Sequence, residues 1–293
     1  MKPKNLAIML TGVVAVSFAA IFIRMSTAPP LIISFYRMFF SSLLIFFYAS
    51  FRGDIGAELR KLTRKDFFLL SIAGLFLSIH FAFWVTSLSH TSVASSVVLV
   101  TTQPLFIVLI ESIFLGKKPS KKFLVGLMVA ASGSFLIGFG DFQMAEFGLV
   151  GDVFALLGAV MAAGYFLIGG EVRGRIKILP YILVVYGFSS VFLLVLCLVA
   201  EVPLISYSPY NYSLFLLLAL VPTLIGHTSF NWLLSEVKAS MIGVTILGEP
   251  IGSSLLAIIF FGEYPSYWVI AGGSFVLLSI YFLWKQEKLD GVT

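Results

Sequence analysis

Charge is what this sequence has least of. Asp, Glu, Lys and Arg make up 11% of its 293 residues, where a soluble domain carries about 25%, so a water-facing surface cannot be built over most of the chain. Cysteine occurs once, at Cys197 inside an apolar run, which excludes a disulfide framework and a paired-thiol metal site. Histidine occurs three times, and His80, His90 and His227 show no close ligand spacing; neither a metal nor a cofactor is expected. There is no H-E-x-x-H pair, no G-x-S-x-G elbow and no phosphate-cradling glycine loop. An intramembrane enzyme therefore has no motif to carry it, and the chain is not read as an enzyme.

What is present is oil. Hydrophobic residues reach 59% and mean hydropathy is +1.05. Crossing a hydrocarbon core of about 30 Å takes roughly 20 helical residues, and apolar runs of that length recur at about 6–25, 30–51, 67–87, 93–115, 122–140, 148–169, 179–201, 212–234, 239–261 and 267–284. The expectation is an all-α integral membrane protein of ten transmembrane helices. The basic, apolar start could pass for a secretory signal, but its run continues to Ile23 and is read as a retained first helix. All Lys and Arg except Arg24 and Arg37 fall on one side of this alternation. That bias predicts a multi-pass protein of the inner or plasma membrane with both termini cytoplasmic. The net charge of +5 therefore concerns orientation in a lipid bilayer and gives no reason to invoke nucleic acid.

The chain is written twice. Pro104, Phe114, Gly116, Pro119, Ser120 and Gly126 have counterparts at Pro250, Phe260, Gly262, Pro265, Ser266 and Gly272, every pair separated by the same 146 positions. Residues 1–140 and 147–285 are read as two five-helix units, and an odd number of spans forces the second to enter upside down. Position 117 is Lys and its counterpart 263 is Glu, as expected if one motif faces opposite compartments in the two copies. Inverted repeats of this kind build secondary transporters around a midplane site.

Few polar residues fall inside the spans, and these are the candidate site. Glu249 lies mid-span beside Pro250, with Thr245, Gly252 and Ser253 one turn away. A carboxylate there is costly and by default faces a cavity or a partner. It could bind an ammonium group, carry a coupling proton or pair with an arginine, or simply bond a neighbouring helix; its counterpart Gln103 is uncharged. Arg37 could receive a carboxylate or phosphate in bidentate fashion, snorkel outward or neutralise an acid. His80 and Trp84 in span three and Thr223, His227 and Asn231 in span eight form stripes, which Tyr165 in span six could join, that line either a cavity or plain core. Pro104 and Pro250 each withdraw a backbone N–H near mid-bilayer, which predicts paired kinks. Glu111 and Asp152, near helix ends, read as structural.

With these residues the chain resembles the drug/metabolite transporter superfamily, specifically EamA-type permeases. The resemblance rests on the doubled P-x9-F-x-G run followed by P-S and on Arg37 after Pro29 and Pro30, and it covers the whole chain. The family's L-G-E ending is kept as Phe261-Gly262-Glu263 and departs as Leu115-Gly116-Lys117. The resemblance implies a ten-helix bundle with a central cavity and both termini cytosolic that transports small metabolites such as amino acids, usually outward. A monomer or a homodimer is expected. Proton coupling is one option, and a passive uniporter or channel is the alternative mechanism.

Overall fold

A computed structural model describes residues 3–53, 55–114, 116, 121–144 and 148–290. Lys117, Pro119, Ser120 and Glu146 lie outside them. The described chain is helical throughout. It runs α1 (Pro3–Ser17), α2 (Ala19–Met25), α3 (Pro30–Arg52), α4 (Ile55–Arg60), α5 (Arg64–Ser87), α6 (Val93–Val100), α7 (Gln103–Phe114), α8 (Lys121–Met144) and α9 (Gly148–Val172). It continues through α10 (Ile178–Val199), α11 (Pro209–Leu218), a π-helical segment (Ala219–His227), α12 (Thr228–Leu233), α13 (Ala239–Ile246), α14 (Gly248–Phe261) and α15 (Tyr267–Asp290). Among the described residues seven helical stretches are long and apolar enough to cross a bilayer, and three shorter apolar helices lie at Met128–Ile137, Gly248–Phe261 and Tyr267–Ser279.

Local chemistry sets the helix ends. Thr63 and Asp66 close a reciprocal capping box on α5, so two backbone N–H groups that would otherwise be orphaned are satisfied. Ser92 and Ser208 cap α6 and α11, Pro30 opens α3, and Gly262 ends α14 at φ 63°, a conformation that a Cβ would strain. The two repeated prolines act differently from the kinks expected of them. Each helix breaks just ahead of its proline, at Thr101–Thr102 and at Leu247. Pro104 and Pro250 thus fall in the first turn of α7 and α14, where a missing N–H has no partner to lose. A third break was not expected. Pro222 sits inside the π-helical segment, where each N–H reaches five residues back.

Helix contacts exchange between the halves. Ser279 donates to the carbonyl of Gly126, and a Cβ on Gly133 would come within 2.5 Å of the carbonyl of Gly272. Residues 126 and 272, and 133 and 279, are counterparts, so each contact is the other's image. Residue numbers rise along α8 as they fall along α15, so the two helices run antiparallel. Gly12 against Phe230 and Gly158 against Trp84 form a second reciprocal pair.

Ionic contacts gather at the two ends. At one end Glu58 accepts from Lys61 (2.9 Å) and Lys177 (3.1 Å), which holds its carboxyl below the usual range; Arg175 pairs with Asp66. At the other end Arg24 pairs with Glu263 at 3.4 Å, and Glu263 accepts from the Val93 N–H at 2.6 Å.

Candidate functional site

Between these ends, where the broken helices meet α3, α5 and α9, lies a small cavity of about 30 Å³. That is close to the share of one water in the liquid and far below the roughly 300 Å³ that small-ligand pockets start from. Larger recesses open at both ends. One of about 680 Å³ is lined by Arg24, His90 and Glu263, the other, of about 870 Å³, by Glu111, Glu171 and Lys238.

Seven of the side chains singled out in the sequence line the small cavity: Arg37, His80, Trp84, Gln103, Tyr165, His227 and Glu249. Arg37 is 0% exposed, so it does not snorkel. Its Nε donates to Thr223 Oγ1 at 2.7 Å and its guanidinium lies 4.1 Å from the Phe81 ring centre, while Nη1 and Nη2 find no hydrogen-bond acceptor among the described residues. Glu249 is 7% exposed and comes from the first turn of α14, directly after the break. Arg37 and Glu249 share the cavity wall, yet no ion pair joins them among the described residues. An arginine and a glutamate thus line one small volume without forming an ion pair.

The aromatic and imidazole groups are held in fixed attitudes. His80 Nδ1 donates to the carbonyl of Gly158 at 2.9 Å, which assigns the proton to Nδ1 and leaves Nε2 as an acceptor in the neutral ring. Its ring stacks on Trp84 at 6.0 Å, and His227 meets Phe81 edge-on at 5.4 Å. Asn231, also singled out, does not line the cavity but stands behind it. It accepts from Tyr165 OH at 2.6 Å and donates to Tyr186 OH at 3.1 Å, so Tyr165 is fixed through a relay across α9, α10 and α12. Tyr186, Thr101 and Arg173, whose Nε donates to the Asn231 carbonyl at 2.9 Å, were missed in the sequence. For Tyr186 the signal was there, a hydroxyl inside the apolar run Ile178–Val199.

The cavity is itself doubled. Val16 and Ala162, Ala19 and Tyr165, Trp84 and Phe230, Val100 and Ile246, and Gln103 and Glu249 all line it, and each pair is separated by the repeat distance of 146. The site therefore sits where the two copies meet, with matching backbone positions on both sides and different chemistry at them.

Three likenesses bear on identity. An uncharacterized transporter of Archaeoglobus fulgidus is 24% identical over 283 residues, covering 96% of each chain. The pseudopaline exporter of Pseudomonas aeruginosa is 23% identical over 265 residues, 90% of this chain and 89% of that one. A solved crystal structure superposes with a TM-score of 0.66 at 17% identity over 96% of this chain and 97% of the other, a likeness of fold alone. The first two are named as a transporter and an exporter, not as enzymes. The sequence pattern of one family fits residues 4–139 and then fits again over residues 149–285, the same doubling that the cavity wall displays, and so this membrane protein belongs to the EamA-like transporter family.

Proposed function

We propose that the protein is a secondary transporter of ten spans, two inverted five-helix halves, that moves small amino-acid-type metabolites outward by alternating access around the central cavity. The observation that carries this is the cavity wall itself. A guanidinium with two nitrogens open among the described residues and a buried carboxyl group line one small volume at the junction of two repeats. Arg37 receives an anionic end of the cargo, and Glu249 takes its ammonium group or a coupling proton. Gln103, His80, Trp84, Tyr165 and His227 shape the remainder, with Asn231 behind Tyr165. Pro104 and Pro250 hold the helix breaks open at matched depth, which supports rocking of one half against the other. The reciprocal, antiparallel contact of α8 with α15 supports the inverted arrangement. One relative's printed name supports the outward direction, and the Lys and Arg bias supports cytoplasmic termini.

The test is counterflow in proteoliposomes loaded in turn with each of the twenty L-amino acids. A carrier gives saturable tracer entry accelerated from the opposite side. Linear flux without trans-acceleration would make the protein a channel, and no flux of any of the twenty would remove amino acids as cargo.

A further inference from the structure

The open end of Arg37 is a matter of geometry imposed from span eight. In an α-helix the carbonyl of Leu218 would be served by the N–H of residue 222, but that residue is Pro222 and has none. A π register hands the carbonyl to the next residue. Thr223 Oγ1 donates to Leu218 O, five positions back, at 2.9 Å, and Thr228 Oγ1 repeats the pattern on Thr223 O at 3.2 Å. With its only proton committed to Leu218 O, the Thr223 hydroxyl can meet Arg37 only as an acceptor. It takes the Nε–H at 2.7 Å, so the guanidinium is gripped by its inner edge and its two outer nitrogens are left to the cavity.

We propose that Thr223, set in place by the π register that Pro222 imposes, is the positioning residue that presents both outer nitrogens of Arg37 to a carboxylate on the cargo. This rests on the central cavity being the cargo site. A planar carboxylate matches the fork of two parallel N–H groups, whereas a neutral carboxamide offers one oxygen and no charge. The Thr223 methyl group adds nothing to the grip, so serine should serve and valine should not. Restoring an N–H with Pro222→Ala permits the α register, which turns Thr223 away from Arg37 by a different route.

The full chain labelled with 15Nε-arginine, in detergent micelles, tests this directly. Of seven arginines, Arg37 and Arg173 hold a buried Nε–H in a hydrogen bond among the described residues, and Arg37→Lys identifies which slowly exchanging resonance is which. The probes are the twenty L-amino acids, each against its carboxamide. At least one acid should shift the Arg37 resonance, with its carboxamide silent. Thr223→Val and Pro222→Ala should both lose exchange protection at Arg37 and bind that acid about tenfold more weakly, the loss expected for one hydrogen bond to a charged group, and Thr223→Ser should restore both. A purely structural Thr223 would lower thermal stability while leaving acid against carboxamide discrimination intact. The proposal is overturned if none of the twenty acids moves the resonance, if a carboxamide binds as its acid does, or if Thr223→Val binds like the unaltered protein. Absent counterflow with an intact carboxylate shift would refute transport and leave this assignment standing. Counterflow that is indifferent to Thr223 would do the reverse.

Discussion

Replacing Arg37 with methionine should make the protein more stable and stop it working. Among the described residues the side chain is fully buried, makes one hydrogen bond, lies over the Phe81 ring and, farther off, the Trp84 ring, and leaves two nitrogens without an acceptor. A buried charge carries a desolvation cost of several kcal/mol. Against that stand about 1.5–3 kcal/mol for a hydrogen bond from a charged group and about 2 kcal/mol for a desolvated cation over a ring. Replacing a whole buried ion pair by apolar groups of similar volume ranges from neutral to about 4 kcal/mol stabilising, and Arg37 forms no ion pair among the described residues whose partner its removal would strand. The bond to Thr223 and the contact with Phe81 place Arg37→Met low in that range, at about 1 kcal/mol. Methionine is the right replacement because it is long and flexible enough to fill the space; alanine would add a cavity penalty and confuse the result.

The assay is thermal unfolding of the purified protein beside counterflow. About 1 kcal/mol corresponds to a rise of roughly 2–4 °C in Tm, with cargo flux reduced at least tenfold. A clear fall in Tm together with preserved flux would show that Arg37 is a structural strut satisfied in the resting protein, and the reading of its open nitrogens would be wrong. The double variant Arg37→Met, Glu249→Gln adds a check. Charges that share one cavity should give a coupling energy of about 0.5–3 kcal/mol in the cycle, and strict additivity would place them in separate environments.

Two further outcomes follow from the same geometry. Glu249→Gln should leave a folded, monodisperse protein whose flux is cut at least tenfold and no longer varies with pH, as read by counterflow across a pH series; unchanged flux with unchanged pH dependence would take Glu249 out of the mechanism. Gly133→Leu should cost about 1–3 kcal/mol by overpacking, because even the first added carbon comes within 2.5 Å of the Gly272 carbonyl. Gly174→Ala, with nothing within 4 Å of its Cβ, is the control that should leave the melting temperature in place.

How much of this was legible beforehand follows from which forces act at which range. The bilayer demands long apolar helices, so most spans could be read by length and hydropathy. The cost of a polar group in oil made Arg37, Glu249 and the imidazoles stand out without any structure. The breaks were harder. Pro104 and Pro250 announced a disturbance, but whether a helix bends or restarts depends on what receives the freed carbonyls, and that is a tertiary question. Pro222 carried the same warning in span eight. Its consequence, a π register that brings Thr223 to Arg37, needed the neighbouring helix α3 to be in place.

The doubling and its defects divide the work between shape and chemistry. Counterparts across the repeat keep the wall of the cavity matched in backbone, as Val16 with Ala162 and Val100 with Ile246 show. Yet at the charged and aromatic positions the two copies disagree: Arg37 answers to Leu183, His80 to Gly226, Tyr165 to Ala19 and Glu249 to Gln103. A perfectly doubled chain would place a second carboxyl group, at position 103, on the wall of a cavity of about 30 Å³, and like charges so close in a medium of low dielectric would repel strongly. One arginine and one glutamate on that wall avoid the repulsion. Sequence divergence between the halves is therefore a physical requirement of placing charge on the seam where they meet, and the residues that break the repeat are the ones to mutate first.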